Sequence, residues 1–124
     1  MPAESMTMAR LIWVKSTEDA WLPLNTFNLA KCFTNPGVYV IWHGGFSPWT
    51  VRVGQGDVAD RIGCHRGDSD VQAYASLGLY VTWAAVPANQ VDGVERYLAE
   101  ALKPKVGSRW PNVATIPVNL PWAA

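Results

Sequence analysis

Two strand-forming runs set close together constrain this chain more than anything else in it. Val38-Tyr39-Val40-Ile41-Trp42 and Trp49-Thr50-Val51-Arg52-Val53 are made of β-branched and aromatic residues, and only the Gly/Ser/Pro segment His43 to Pro48 separates them. Such residues favour a pleated, half-buried surface, and a short Gly-containing connection joins two of these runs as a β-hairpin. In the second run polar Thr50 and Arg52 alternate with Trp49, Val51 and Val53, which predicts one apolar and one polar face. Asn35-Pro36-Gly37 is a turn signal ahead of the hairpin, and Gly54-Gln55-Gly56 is read as the end of its second strand.

Beyond the hairpin, Asp57 is an N-cap for a helix running to about His65, and Gly63 costs that helix roughly 1 kcal/mol relative to Ala. Gly67 to Asp70 reads as a polar loop, and Leu79 to Val86 as a third strand closed by Pro87. Asn89 is placed to cap a last helix ending near Leu102, where Val91, Val94, Leu98, Ala101 and Leu102 form a helical stripe. Ahead of the hairpin, residues 1–9 read as a loose lead-in, Leu11 to Val14 as a strand, Glu18 to Pro23 as a turn region, and Asn25 to Phe33 as a short helix or irregular chain. The proline-bearing tail from Val106 is expected to be extended, with Ala114 to Leu120 as one more short strand. The fold class is therefore α+β: a small three-stranded, mainly antiparallel sheet with a β-β-α-β-α core and flanking helices. One globular domain is expected, with an N-terminal extension (1–34) contributing one strand, a core (35–113) and a tail (114–124).

Composition limits the functions open to such a domain. The 124 residues are 49% hydrophobic and 16% charged, enough to bury one core, and the seven Trp require several indoles inside it. Ten Lys and Arg balance ten Asp and Glu, which argues against a general nucleic-acid coat protein but leaves room for a local basic patch. From Arg96 onward the bases Arg96, Lys103, Lys105 and Arg109 face one acid, Glu100. Cys32 and Cys64 supply neither a disulfide framework nor a CxxC zinc pair and read as reduced thiols. The run Leu11 to Val14 is too short for a signal or membrane segment, so a cytoplasmic protein without membrane contact is expected.

Gly37-Val38-Tyr39 in the first hairpin strand, Arg52-Val53-Gly54 in the second, Arg61 and His65 on the next helix, Glu95 on a later helix and then Lys103-Pro104 form an ordered set. In order, spacing and strand or helix context this set resembles the GIY-YIG nucleases over roughly Gly37 to Asn112. Two positions depart from that family's pattern: Arg52 replaces the second motif's Tyr, and no Asn follows Lys103-Pro104 directly, the next being Asn112 and then Asn119. The resemblance implies a metal-dependent endonuclease acting on DNA, with Tyr39, Arg61, His65 and Glu95 catalytic. Glu95 would hold Mg²⁺ (or Mn²⁺), and Arg52, Lys103, Lys105, Arg109 and Asn112 would bind substrate.

Each residue has a plainer role beside that one. Glu95, a hard oxygen donor at the border of the apolar stripe, suits a divalent ion; it equally suits an ion pair along the helix. Tyr39 is the leading general base under the resemblance and otherwise a core tyrosine with a bonded hydroxyl. Arg61 and His65 share a helix face; they fit a phosphate clamp and a proton carrier, or a salt bridge to Asp57 or Asp60 and a solvated helix end. His43 and Trp49 would touch substrate, Trp49 by stacking on a base, or Trp49 would cover the sheet edge. The basic cluster fits a nucleic-acid backbone or a solvated face. A nuclease requires Tyr39, Arg52, Arg61 and Glu95 to converge on one concave face, with side-chain ends within about 10 Å of a common point. Glu95 pointing to the opposite side of the sheet from Tyr39 means that the nuclease reading is to be abandoned. The alternative from another class is a catalytically inactive module of the same fold that binds nucleic acid or protein, favoured by Arg52 and by the zero net charge.

Overall fold

In the computed structural model, which describes residues 10–32 and 36–122, the elements run β1 (Leu22–Pro23), β2 (Pro36–His43), β3 (Trp49–Asp57), α1 (Val58–His65), α2 (Ser69–Gln72), β4 (Leu79–Ala85) and α3 (Val91–Leu102). Short 3-10 turns lie at Leu29–Lys31 and Ala75–Leu77. The hairpin, the α1 helix with its Asp57 cap, the third long strand and the last helix form where the sequence predicts them, except that β3 continues through Gly54-Gln55-Gly56, which pair with Tyr39, Val38 and Gly37, to Asp57. Asp57 Oδ1 accepts from the Asp60 backbone N–H at 3.2 Å, the bond expected of an N-cap. Residue 35 of the turn signal and the lead-in 1–9 lie outside the described residues.

Four strands pair antiparallel in the order β1-β4-β2-β3: the three expected of the core and one from the N-terminal extension, at Leu22–Pro23 in the expected turn region and not at Leu11 to Val14. That last one is the two-residue β1, which pairs Leu22 with Val81 and Pro23 with Tyr80. Leu11 to Val14 is not a strand. Its two ends are held differently. Asn119 of the tail accepts from the Leu11 N–H at 2.6 Å and donates to its carbonyl at 3.0 Å, whereas the Val14 N–H bonds the Trp83 carbonyl of β4 at 3.0 Å and the Val14 carbonyl accepts from Thr82 Oγ1 at 2.7 Å. Gly67 to Asp70 is not wholly loop either, because Asp68 Oδ1 accepts from Asp70 N at 3.0 Å and starts α2. Gln90, not Asn89, stands at the N-cap of α3, and its side chain makes no capping bond. Ala114 to Leu120 crosses α3 without forming a strand; the Ile116 N–H bonds the Gly93 carbonyl at 3.0 Å.

β2 is buried on both sides, so its residues serve two cores in alternation. Tyr39 and Ile41 pack with Val58, Ile62 and Val71 beneath α1 and α2. Val38, Val40 and Trp42 pack with Val91, Val94 and Leu98 of α3. Each fully buried Val, Ile or Leu contributes about 1.5–3 kcal/mol relative to exposure.

The simple alternation expected in β3 fails at a β-bulge. Val40 faces Val53 and Ile41 faces Arg52, but Trp42 faces Thr50, leaving Val51 as the extra residue. Val51 therefore joins the α1-side core, whereas Val53 joins the α3-side core. The bulge also brings Arg52 opposite Ile41, on the face that carries Tyr39.

The α3–tail crossing yields a test. A Cβ at Gly93 would lie 2.7 Å from Ile116 Cγ1 and 2.8 Å from the Ala114 carbonyl oxygen. Gly93→Ala gains about 1 kcal/mol of helix propensity but overpacks this crossing, at a cost of about 1–3 kcal/mol. We expect a lower midpoint in urea denaturation; a rise matching the propensity gain would show that the tail is not seated on α3.

Candidate active site

Tyr39 is 1% exposed and lies directly across from Gly54. A side chain at Gly54 would overlap the phenol ring and hydroxyl, so the glycine is what lets the ring cross β3. The ring ends at His65, with 2.6 Å between the hydroxyl and Nε2. Gly56, at φ +120°, turns the chain from β3 into α1, which carries both Arg61 and His65.

His65 is 2% exposed, and its other nitrogen, Nδ1, stands 3.4 Å from Asp68 Oδ2. Burial lowers the imidazole pKa below its ordinary 6.5; Arg52 and Arg61 push the same way, and Asp68 opposes them. A neutral ring between these partners accepts from the Tyr39 hydroxyl at Nε2 and donates from Nδ1 to Asp68. Burial raises the Tyr39 pKa, while the Arg61 and Arg52 guanidinium groups beside the hydroxyl pull it back. Asp68 titrates below its ordinary range: burial opposes this, and the Asp70 N–H and His65 outweigh it.

Arg52 is the residue common to two groups of side chains. It faces the Tyr39 hydroxyl and His65 on one side and the Glu95 carboxylate on the other. Its Nε is buried and has no hydrogen-bond partner among the described residues. Gly107 lies against it; a Cβ there would be 3.0 Å from an Arg52 terminal nitrogen.

Glu95 is 8% exposed, and its Oε1 accepts from Gln55 Nε2 at 2.8 Å. Gln55 also donates to Asp92, one helical turn before Glu95. Burial raises the Glu95 pKa; the Gln55 donor and Arg52 lower it, and Asp92 adds to the rise. The partner of Glu95 is thus a β3 side chain, not a cation on its own helix. Gln55 faces Val38, which belongs to the α3-side core. The expected single concave face is therefore not what forms. Tyr39, Arg61 and His65 stand on the α1 face, Glu95 stands on the α3 face, and the two sets approach each other around Arg52 on the edge strand.

The remaining expected substrate residues lie apart from this cluster. Asn112 Oδ1 accepts from Arg96 at 3.3 Å, and Asn119 is occupied by Leu11. The Lys105 and Val106 N–H groups bond Thr50 and Val51 carbonyls on β3, while the Lys105 ammonium lies over Trp49. Lys103 ends α3 with φ +50°, and its carbonyl accepts from Trp49 Nε1 at 2.8 Å. Arg109 is exposed. His43 is buried and stacked on Tyr74, with rings 5.6 Å apart.

Three participants escape a reading of the sequence: Asp68, Gln55 and Asp92. Asp68 lies past a helix end in a segment that looks like loop, and Gln55 lies between glycines that look like a strand end. Asp92 was accessible, because its spacing from Glu95 places both on one helix face.

Searches against protein-family models, curated proteins and solved structures match nothing to this chain.

The buried pair makes a pH prediction. An unfolded chain protonates His65 near 6.5, whereas the folded ring resists protonation. Its contribution to stability is therefore complete above pH 6.5 and is lost as pH falls through the folded pKa. NMR titration should place the His65 midpoint below 6.5. Asp68→Asn removes the group that raises it and should move the midpoint lower, while Asn keeps the α2 cap. An unchanged midpoint in that variant would separate Asp68 from His65.

Proposed function

We propose that this protein is a metal-dependent phosphodiesterase acting on DNA, an endonuclease of the GIY-YIG kind, with its reaction centre at the β3 edge around Arg52. The observation that carries the reading is the Tyr39–His65 pair at 2.6 Å, faced by two guanidinium groups, one with an unpaired buried Nε. A structural tyrosine needs only one hydrogen-bond partner, and two guanidinium groups beside its hydroxyl suit an arriving anion such as a phosphate.

Arg52 and Arg61 bind the nonbridging oxygens of the scissile phosphate, Arg61 through a fork suited to a tetrahedral anion. Tyr39 then borders the attacking water. As the water oxygen bonds phosphorus, its proton passes to the Tyr39 oxygen and the Tyr39 proton passes to His65 Nε2. Asp68 accepts from Nδ1–H and stabilises the imidazolium that results. The P–O bond to the leaving oxygen breaks, and that oxygen takes a proton from solvent.

Glu95 and Asp92 offer hard oxygen donors one turn apart. Among the described residues there is no group of three or more His, Cys, Asp or Glu able to cage an ion. That donor set fits Mg²⁺ or Mn²⁺, which keep several waters and need only one or two carboxylates. Such an ion, when bound, neutralises charge on the phosphate and leaving oxygen. The buried Glu95 carboxylate gains a counter-charge by holding it.

A second reading, a silent nucleic-acid- or protein-binding module, is favoured by the burial of the Tyr39 hydroxyl and by the split of Tyr39 and Glu95 between the two faces, the arrangement expected to count out a nuclease. What keeps the nuclease reading is that Arg52 faces both sets at the sheet edge. Nicking of supercoiled plasmid with Mn²⁺, with and without chelator, decides between them. The nuclease reading expects chelator-sensitive nicking that falls by at least about 100-fold in Tyr39→Phe and Glu95→Gln. It also expects Mn²⁺ to raise the melting temperature of the parent and not of Glu95→Gln. A folded parent that never nicks supports the silent module, and equal nicking by all three proteins removes these residues from the chemistry.

A further inference from the structure

Four tryptophans meet at the hairpin end of the sheet, away from the Tyr39 cluster. Trp21, Trp42, Trp49 and Trp122, with Pro48 and Thr50, line a cavity of about 210 Å³. Trp42 forms its floor, with Trp21 and Trp122 edge-on to it at 5.2 and 5.0 Å between ring centroids. Trp49 and Trp122 remain 45% and 43% exposed, an unusual use of large aromatic rings in a chain that buries most of its apolar side chains.

Size, chemistry and charge limit the occupant. The volume suits one planar heterocycle, and aromatic walls bind one by stacking. The indole N–H groups of Trp21, Trp42 and Trp122 make no hydrogen bond among the described residues, so they are free to meet acceptors on a ring edge. Two lysines stand against its wall rings without lining it: Lys15, 4.4 Å from the Trp21 ring centroid and paired with Asp19 at 3.5 Å, and Lys105, 5.2 Å from that of Trp49. Among the described residues no carboxylate lines the cavity. Those lysines disfavour a quaternary ammonium group, the other ligand of aromatic cages, and favour a ring that brings a phosphate with it.

Position adds a second argument. Trp49 and Arg52 lie on the same strand, and at about 3.3 Å per residue they are roughly 10 Å apart. We propose that this cavity is a stacking subsite for one unpaired nucleobase of a nucleic-acid strand, with Lys105 and Lys15 meeting the adjoining phosphates. The proposal takes its substrate class from the nuclease reading and places an unpaired base beside the phosphate that Arg52 and Arg61 would hold.

The test is binding, so it does not depend on cleavage. Tryptophan fluorescence of the parent is titrated at low salt with a ten-residue oligothymidylate, with the same chain carrying abasic sites, and with a trimethyllysine peptide. Trp49→Ala and Trp122→Ala are titrated in parallel after circular dichroism shows them folded; both remove partly exposed rings. Quenching by the intact oligonucleotide is expected, with affinity about tenfold weaker in either variant. The abasic chain should bind the parent about as weakly as the intact chain binds the variants. Parent-like affinity in both variants, equal binding of abasic and intact chains, no binding at low salt, or preference for the peptide would each overturn the subsite. Stacking without metal-dependent nicking would keep the subsite and discard the nuclease; nicking without stacking would do the reverse.

Discussion

The hydrogen bond between the Tyr39 hydroxyl and His65 Nε2 is the contact on which the arrangement of this site depends. It joins the central strand to α1 through the sheet's α1-side core, and it forms only because Gly54 offers no side chain where the phenol must pass. The same burial that fixes the pair sets its electrostatics. Desolvation keeps the imidazole neutral and the phenol protonated, so the pair rests with a proton poised between oxygen and nitrogen. Asp68 extends this line from the sheet to the start of α2.

Arg52 is the second organising element, and its place depends on one inserted residue. Without the bulge at Val51, β3 would keep strict alternation, and Val51 and Val53 could not serve opposite cores. The insertion puts Arg52 between the phenol–imidazole pair and the buried Glu95. A cation there offsets the carboxylate and leaves an unpaired Nε, an arrangement that gains from an arriving anion. The covering of β3 by Lys105 and Val106 stops just short of Arg52, so ladder hydrogen bonds protect the hairpin end of this edge.

Local patterns in the sequence made most of the secondary structure legible. The hairpin follows from β-branched runs around a Gly-rich loop, α1 from an Asp cap, and α3 from a stripe repeating every three or four residues. Long-range competition hid the rest. Leu11 to Val14 has strand-forming side chains, but only Val14 bonds β4, while Asn119 takes the backbone bonds of Leu11. Val51 and Val53 look equivalent until the bulge sends them to opposite sides. Tyr39, Arg61 and His65 were recognisable as a set, and the structure brings them together. The position of Glu95 on the other face was not legible, because helix periodicity fixes which way a side chain points from its helix and not which side of the sheet the helix covers. Among the described residues no helix is long and apolar enough to cross a membrane.

The central claim is that the β3 edge around Arg52 holds a phosphodiester and a divalent ion together. Crystals grown with Mn²⁺ and a short, non-hydrolysable phosphorothioate DNA would locate both by anomalous scattering from manganese and sulfur. The account predicts manganese bound to Glu95 and a phosphorothioate between Arg52 and Arg61, within hydrogen-bond reach of Tyr39. DNA bound with its backbone elsewhere on the molecule, or manganese on a site without Glu95, would contradict it.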